Sequence, residues 1–293
     1  MDKLFAVPGC TTDMAAVKLH FSNHLLSVFS FTFITLNLLL WLPLLAVMAI
    51  IRMIIPSSKN FTFPVVDVVY RLAVRVDTWW LRHVVKIEID CDDASGTLQQ
   101  LSPGDAPVVI SNHRSWFDIF VLQALFTCNG PILKFVVKKE LLWVPVVGWI
   151  CLVMGFPRLD RSGGMQRVKD LGVIREASRK QAEESGALLF FPEGTRFTEK
   201  KRVRQDSRYE NLLETRSGGF RAIQESVSPD TQVIDVSVFY RDGDENCWRC
   251  LGGSVKKVQV KINHFTMSQV REPAEWLQER WLEKENWLKS KLA

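Results

Sequence analysis

Metal chemistry has little to work with in this sequence. Six cysteines are scattered through 293 residues, and only Cys247 and Cys250, in CWRC, lie close together. A zinc site would need a second pair or histidines at ligand spacing, and His264 is the sole nearby candidate. No metal is expected, and the scatter fits reduced thiols in a cytoplasm-facing domain. Strong charge of one sign is also missing. A net charge of +5 suits an anionic membrane surface or a phosphorylated substrate, and no nucleic-acid motif accompanies it. The chain has no G-x-S-x-G elbow to present a serine nucleophile, no internal repeat and no low-complexity tract.

One absence is local. From Leu25 to Ile51 the chain carries no charge at all. About 20 apolar residues suffice to cross the hydrocarbon core of a bilayer, so this run is long enough to span with some tilt. A secretory signal would have a shorter apolar centre and a small-residue cleavage site. Pro43 could kink a single crossing or mark the apex of a re-entrant helix pair, and both readings stay open. Arg52, Lys59, Arg71 and Arg75 follow the run, against Lys3 and Lys18 before it, which puts the later residues on the cytoplasmic side. Ten tryptophans and eighteen phenylalanines agree with a protein seated at a lipid interface. The expected organisation is an anchoring segment over 1–60, with its apolar run at 25–51, and a single catalytic domain over 61–293.

Beyond the run, residues 65–85 mix apolar positions with Asp67, Arg71, Arg75 and Asp77, the pattern of an interfacial or domain-packing helix. The remainder alternates short apolar strands with helices. VVKIEID, APVVIS, ALLFFP, QVIDVSVFY and VKKVQVKI read as strands. Helices are expected near 115–127, 164–185 and 211–226, and a last one from Pro273, whose Trp276, Trp281 and Trp287 pack on the domain. This order indicates an α/β fold with a mixed, partly parallel sheet flanked by helices.

Within SNHRSWFD, residues 111–118, His113 and Asp118 stand five apart. In one continuous helix, five steps of about 100° would leave them about 140° apart, on different faces. The segment SWFD also has capping-box form, which would start the helix at Ser115 and leave His113 in the preceding turn, free to fold back beside Asp118. Asp118 then either only caps the helix or also holds an imidazole. A second cluster, FPEGTR, follows the strand ending near Phe191. Gly194 permits a tight turn or close ligand approach, and Arg196 offers a planar fork to a phosphate or carboxylate. Both clusters follow expected strands, and the carboxyl ends of strands are where α/β sheets build their sites.

The sequence here resembles the glycerolipid acyltransferases of the lysophosphatidic acid acyltransferase type. NHRSWFD matches their N-H-x-S-x-x-D block and FPEGTR their E-G-T-R block, in the same order. Between them, FVVKKELLWVPVVGWICLVMGFPRLDR is similar to their second block. EGTRFT with its following basic residues resembles the branch holding lysocardiolipin and lysophosphatidate acyltransferases and their bacterial relatives. The resemblance covers residues from about 61 to 293. A fourth block, usually a proline-containing strand, is represented by VIDVSVFY, which has no proline.

The resemblance implies transfer of a fatty acyl group from a thioester, acyl-CoA or acyl carrier protein, to the free hydroxyl of a lysophospholipid, most simply lysophosphatidic acid. Remodelling of another lysophospholipid, or transacylation, is the alternative. No cofactor is expected beyond the co-substrate. His113 would be the base, since an imidazole is suited to proton transfer near neutral pH, and Asp118 would fix its tautomer. The lipid hydroxyl would attack directly, without an acyl-enzyme on Ser115. Glu193, Gly194, Thr195 and Arg196 would bind the acceptor, with Arg196 on its phosphate, Arg161 second and Lys138 third. The basic run 199–208 reads as a solvated loop. The expected partners are the phospholipid bilayer, the lysophospholipid and the acyl donor, with no nucleic acid. The expected location is a bacterial inner membrane, with the catalytic domain toward the cytoplasm.

Overall fold

The computed structural model describes residues 21–292 apart from 139, 141–142, 144–147, 150, 152–155, 160–163, 185 and 242–245. The apolar run forms one continuous helix, α1 (Phe21–Ile54), with Pro43 inside it. The reversal comes later, at the short 3-10 turn Pro56–Ser58, and α2 (Lys59–His83) returns alongside α1. By length and composition α1 could cross a membrane, and only 22% of its most apolar window is buried.

What α1 does bury is a narrow seam: Ser27, Ser30, Ile34, Asn37, Leu45 and Met48, spaced mostly by three and four as one helix face requires. The seam is partly polar and its polar members are satisfied. Ser27 Oγ donates to the Trp248 carbonyl at 2.8 Å, and Trp80 Nε1 donates to Ser30 Oγ at 3.0 Å. Asn37 Nδ2 donates to Asp77 Oδ1 and to the Ala73 carbonyl, both at 2.9 Å. Gly252 makes the close approach possible, because a Cβ there would sit 2.4 Å from Ser27 Oγ and 2.6 Å from the Asn23 carbonyl. Outside the seam α1 presents bare apolar surface, including Phe21, Leu40 and Met53.

The charges on α2 turn toward the domain. Arg71 pairs with Asp67 at 2.6 Å and donates to the carbonyls of Thr127 and Gly130, and Arg75 donates to Cys128 O at 2.9 Å. Those carbonyls lie at and just beyond the end of helix α4 (Asp118–Phe126), which follows the short α3 (Thr97–Gln100), and a helix dipole favours cations there.

The sheet contains β1 (Glu88–Asp92), β2 (Val108–Ser111), β3 (Leu133–Phe135), β6 (Ala187–Phe190), β7 (Gln232–Tyr240) and β8 (Lys257–Thr266). Two short strands, β4 (Val137–Lys138) and β5 (Arg158–Leu159), pair separately. The six strands run in the order β1-β8-β7-β2-β6-β3, all parallel to their neighbours except β7 with β8. Strand β2 is buried at every position, as its unbroken apolar run requires. Alternate residues serve opposite faces. Val109 and Leu189 pack with α2 and α4, whereas Val108, Ile110 and Leu188 pack with α5 (Gly164–Glu184), α7 (Ser217–Gln224) and α9 (Pro273–Leu292).

Three elements differ from expectation. Strand β1 begins at Glu88, because residues up to His83 continue α2. The basic run forms a short helix, α6 (Glu199–Gln205), whose cap Thr198 accepts from the Lys201 amide. The helix expected over 211–226 covers only Ser217–Gln224. The buried Glu285 carboxylate of α9 accepts the Glu210 and Asn211 amides, both at 3.1 Å, and so holds this stretch in a loop.

Helix α9 is fixed to the sheet by a buried ion pair. Lys284, 2% exposed, contacts Asp235 of β7 and donates to Val236 O at 2.6 Å and Ser237 Oγ at 3.2 Å. Burial pulls the Lys284 ammonium below its ordinary range, against the opposing charge of Asp235. Removing one member of such a pair strands the other. Lys284→Met is therefore expected to lower unfolding free energy by about 3 kcal/mol, and adding Asp235→Asn is expected to restore a large part of it. Denaturant titration of the two variants measures the difference, and additive losses would show that the pair is not coupled.

Candidate active site

Strands β6, β2 and β7 are adjacent and parallel, so their carboxyl ends open onto one edge of the sheet. Each delivers part of a cluster there. After β2, the Asn112 side chain prolongs the ladder onto β7, donating to Val238 O at 3.0 Å and accepting from Val238 N at 2.8 Å. Asn112 is wholly buried, and the chain turns immediately after it. The α-helix begins at Asp118, three residues later than the capping-box reading placed it. Half of that box is present, since Asp118 Oδ2 accepts the Ser115 amide at 2.9 Å. Ser115 Oγ accepts instead from the Phe117 amide at 3.1 Å.

His113 and Asp118 are in contact. His113 Nδ1 lies 2.8 Å from Asp118 Oδ2, which also accepts the Arg114 amide at 2.7 Å. The remaining oxygen, Oδ1, accepts the hydroxyl of Tyr240, the last residue of β7, at 2.5 Å. Four donors thus hold a carboxylate with no exposed surface. An acceptor facing Nδ1 assigns the proton to that nitrogen and leaves Nε2 with its lone pair. The imidazole stacks on Phe191 at 4.1 Å, with 12% of its side chain accessible.

The loop after β6 is bound to this turn, because the Phe197 amide donates to the His113 carbonyl at 2.7 Å. Gly194 adopts φ 67°, a left-handed conformation that disfavours side chains, within a turn closed by its amide on Phe191 O. Thr195 Oγ1 and the Arg196 carbonyl both accept from Lys201 Nζ, at 2.9 and 2.7 Å. The exposed Arg196 guanidinium lies 5.0 Å over the Trp116 ring, so a residue of the first cluster supports the cation of the second.

Glu193 is different. It is completely buried, and neither oxygen has a hydrogen-bond partner among the described residues. Burial raises its carboxyl well above the ordinary range, and the nearby His113 backbone and Arg114 charge oppose this without compensating it. Lys138 lies on β4, away from the six-stranded sheet, and Arg161 falls outside the described residues. Among the described residues, no group of three or more histidine, cysteine or acidic side chains is placed to hold a metal.

Sequence reasoning missed Asn112, Trp116, Lys201 and Tyr240. Trp116 and Lys201 carry no signal of their own. Asn112 is adjacent to the histidine, but its ladder role needs the β2–β7 pairing. Tyr240 comes from a strand 122 positions away from Asp118.

The state of Glu193 is open to test through stability. Its raised folded value means the fold prefers the protonated form. That contribution is complete below the ordinary value near 4.5 and is lost as pH rises through the folded one. Glu193→Gln has no such loss, so its melting temperature is expected to gain on the parent's between about pH 5 and about pH 8. Calorimetry at both pH values measures the gap, and a pH-independent gap would show an ionised carboxylate in the fold.

Comparison with known proteins identifies a family and a fold. Residues 96–241, about half of the chain, match the family model described as Acyltransferase. Lysocardiolipin acyltransferase 1 of Danio rerio is 30% identical over 202 residues, which are 62% of this chain and 52% of that protein. The chloroplastic 1-acyl-sn-glycerol-3-phosphate acyltransferase LPAT1 of Arabidopsis thaliana is 36% identical over 100 residues, 34% of this chain and 26% of that one. The chain thus matches about half the length, or less, of these relatives. In fold it is similar to the crystal structure of the 1-acyl-sn-glycerophosphate (LPA) acyltransferase PlsC from Thermotoga maritima, with a TM-score of 0.60, 15% identity, and coverage of 92% of this chain and 96% of that one. With the histidine and aspartate in contact inside the matched segment, the chain belongs to the acyltransferase family.

Proposed function

We propose that this protein transfers a fatty acyl group from a thioester, acyl-CoA or acyl carrier protein, to the free hydroxyl of a lysophospholipid, with lysophosphatidic acid as the acceptor. The observation that carries this reading is the 2.8 Å contact between His113 Nδ1 and a buried carboxylate held by three further donors. An alcohol is a weak nucleophile near neutral pH and needs a base as it attacks. His113 Nε2 takes the hydroxyl proton, while Asp118 keeps the tautomer and offsets the positive charge that develops on the ring. The hydroxyl adds to the thioester carbonyl, the carbon–sulfur bond breaks, and the proton passes from the imidazolium to the departing thiolate.

Direct attack is supported by the state of Ser115. Its hydroxyl is 1% exposed and is engaged by the Phe117 amide, with no bond to His113. Arg196, exposed and supported by Trp116, is the phosphate ligand, with Thr195 beside it and the Gly194 turn letting the acceptor approach closely. Lys138 and Arg161 are secondary cations. Glu193 meets the glycerol hydroxyls only if acceptor entry uncovers it. The name of the zebrafish relative favours a second reading, in which the acceptor is another lysophospholipid such as lysocardiolipin.

The membrane reading follows from the α1–α2 hairpin. The seam of α1 lies against α2 and, through Ser27, the Trp248 carbonyl, while its apolar remainder faces outward, an arrangement suited to a helix pair lying in the surface layer of a bilayer. The excess of basic residues after α1 favours the cytoplasmic side for the domain.

The first experiment is an acyl-transfer assay on the full chain in detergent, pairing acyl-CoA and acyl carrier protein donors with several lysophospholipids and reading products by mass spectrometry. His113→Ala is expected to lower the rate by about a hundredfold or more, and an undiminished rate would end the proposal. Arg196→Lys keeps charge but loses the fork, so KM for the acceptor is expected to rise about tenfold with little change for the donor. Equal effects on both substrates would remove Arg196 from the phosphate.

A further inference from the structure

The reaction as outlined uses only one oxygen of Asp118, and the other is not idle. We propose that Tyr240 is a positioning residue for this chemistry: its hydroxyl fixes Asp118 and sets how much of the carboxylate's charge reaches His113. The inference rests on the reading of His113 as base and goes beyond it, since nothing in the two sequence clusters points to a tyrosine on another strand.

The geometry is specific. Tyr240 is 3% exposed and Asp118 is not exposed at all. The O–H···O separation of 2.5 Å lies at the short end for a hydroxyl donating to a carboxylate. Oδ2 already accepts His113 Nδ1 and the Arg114 and Ser115 amides. A carboxylate held from one oxygen alone could still tilt about its Cβ–Cγ bond. A donor on Oδ1 removes that freedom and draws charge from the oxygen facing the ring. Placement is equally specific. Tyr240 ends β7, whose register on β2 is clamped through Asn112 at Val238, so the hydroxyl is delivered by the sheet itself. Among the described residues, the titratable groups acting on this cluster include Arg114 of the same turn, Glu193 of the loop after β6 and Cys247 of the short helix α8 (Cys247–Leu251), with Lys284 acting on Glu193 and Arg196 on Cys247.

Two substitutions at one atom test this. In Tyr240→Phe, Oδ1 loses its donor and more negative charge faces the imidazole, so the ring is protonated more readily. The acid limb of the kcat/KM profile is expected to move to higher pH, with kcat lowered about tenfold and both KM values little changed. Fluorinating the tyrosine ring strengthens the donor without changing its shape. The chain has only three tyrosines, so global labelling with 3-fluorotyrosine is practical. The labelled enzyme is expected to move the acid limb the opposite way, to lower pH. It also retains the contact, so it gives a reading if the phenylalanine variant fails to fold.

Opposite displacements of the limb establish the role. A limb unmoved in the labelled enzyme, or a phenylalanine variant that loses rate with its limb in place, would reduce Tyr240 to a structural contact and overturn the inference. His113→Ala, assayed in parallel, separates the two claims. If it keeps full rate, the base reading falls; if it is inactive while Tyr240→Phe matches the parent in rate and profile, only the inference falls.

Discussion

The site depends on keeping one negative charge out of water. Asp118 has no exposed surface, and an unpaired buried carboxylate would be unfavourable by several kcal/mol. Its solution is to collect donors from three places: the backbone of its own approach turn, the histidine of that turn, and a hydroxyl carried by β7. Each donor constrains the chain that supplies it. The two amides force residues 113–115 to wrap around the carboxylate, which keeps the helix from starting before Asp118 and orients the imidazole. The Tyr240 hydroxyl requires β7 to stand beside β2 in a single register. The Asn112 amide enforces that register one step beyond the last strand residue. Catalytic geometry and sheet topology are therefore parts of one hydrogen-bonding problem.

A second buried carboxyl a short distance away is handled in the opposite manner. Neither Glu193 oxygen has a hydrogen-bond partner within bonding distance among the described residues, and burial drives it toward the neutral form. Charge is thus concentrated on Asp118, beside the His113 ring, and withheld from Glu193. Beneath both, the Lys284–Asp235 pair joins the last helix to the strand bearing Tyr240.

Much of this was legible in the sequence because it is local. The unbroken apolar runs of β2 and β6 announced strands buried on both faces. Gly194 after Glu193 announced a turn, and the five-residue separation of His113 and Asp118 left only a folded-back turn as a working geometry. What failed was set by contacts between remote segments. Residues 211–216 read as the start of a helix, but Glu285 captures the Glu210 and Asn211 amides at the entry to this stretch. The apex of the helical hairpin fell at Pro56–Ser58 and not at Pro43, since a proline within a long apolar helix does not have to break it. Tyr240 was invisible because a tyrosine closing an apolar strand has no local signature, and its partner opens a helix that follows another strand.

The polar seam of α1 has a mechanical consequence. Ser30 and Asn37 close α1 onto α2, while Ser27 ties α1 to the Trp248 carbonyl and Arg71 and Arg75 tie α2 to carbonyls after α4, so both helices are fastened to the rest of the fold. An enzyme anchored by a loose stalk can reach up and down for its substrate. Under the proposed membrane seating, the elevation of the imidazole above the lipid would be a fixed dimension of the molecule, and the distance of an acceptor's reactive hydroxyl from its acyl chains would become part of its fit.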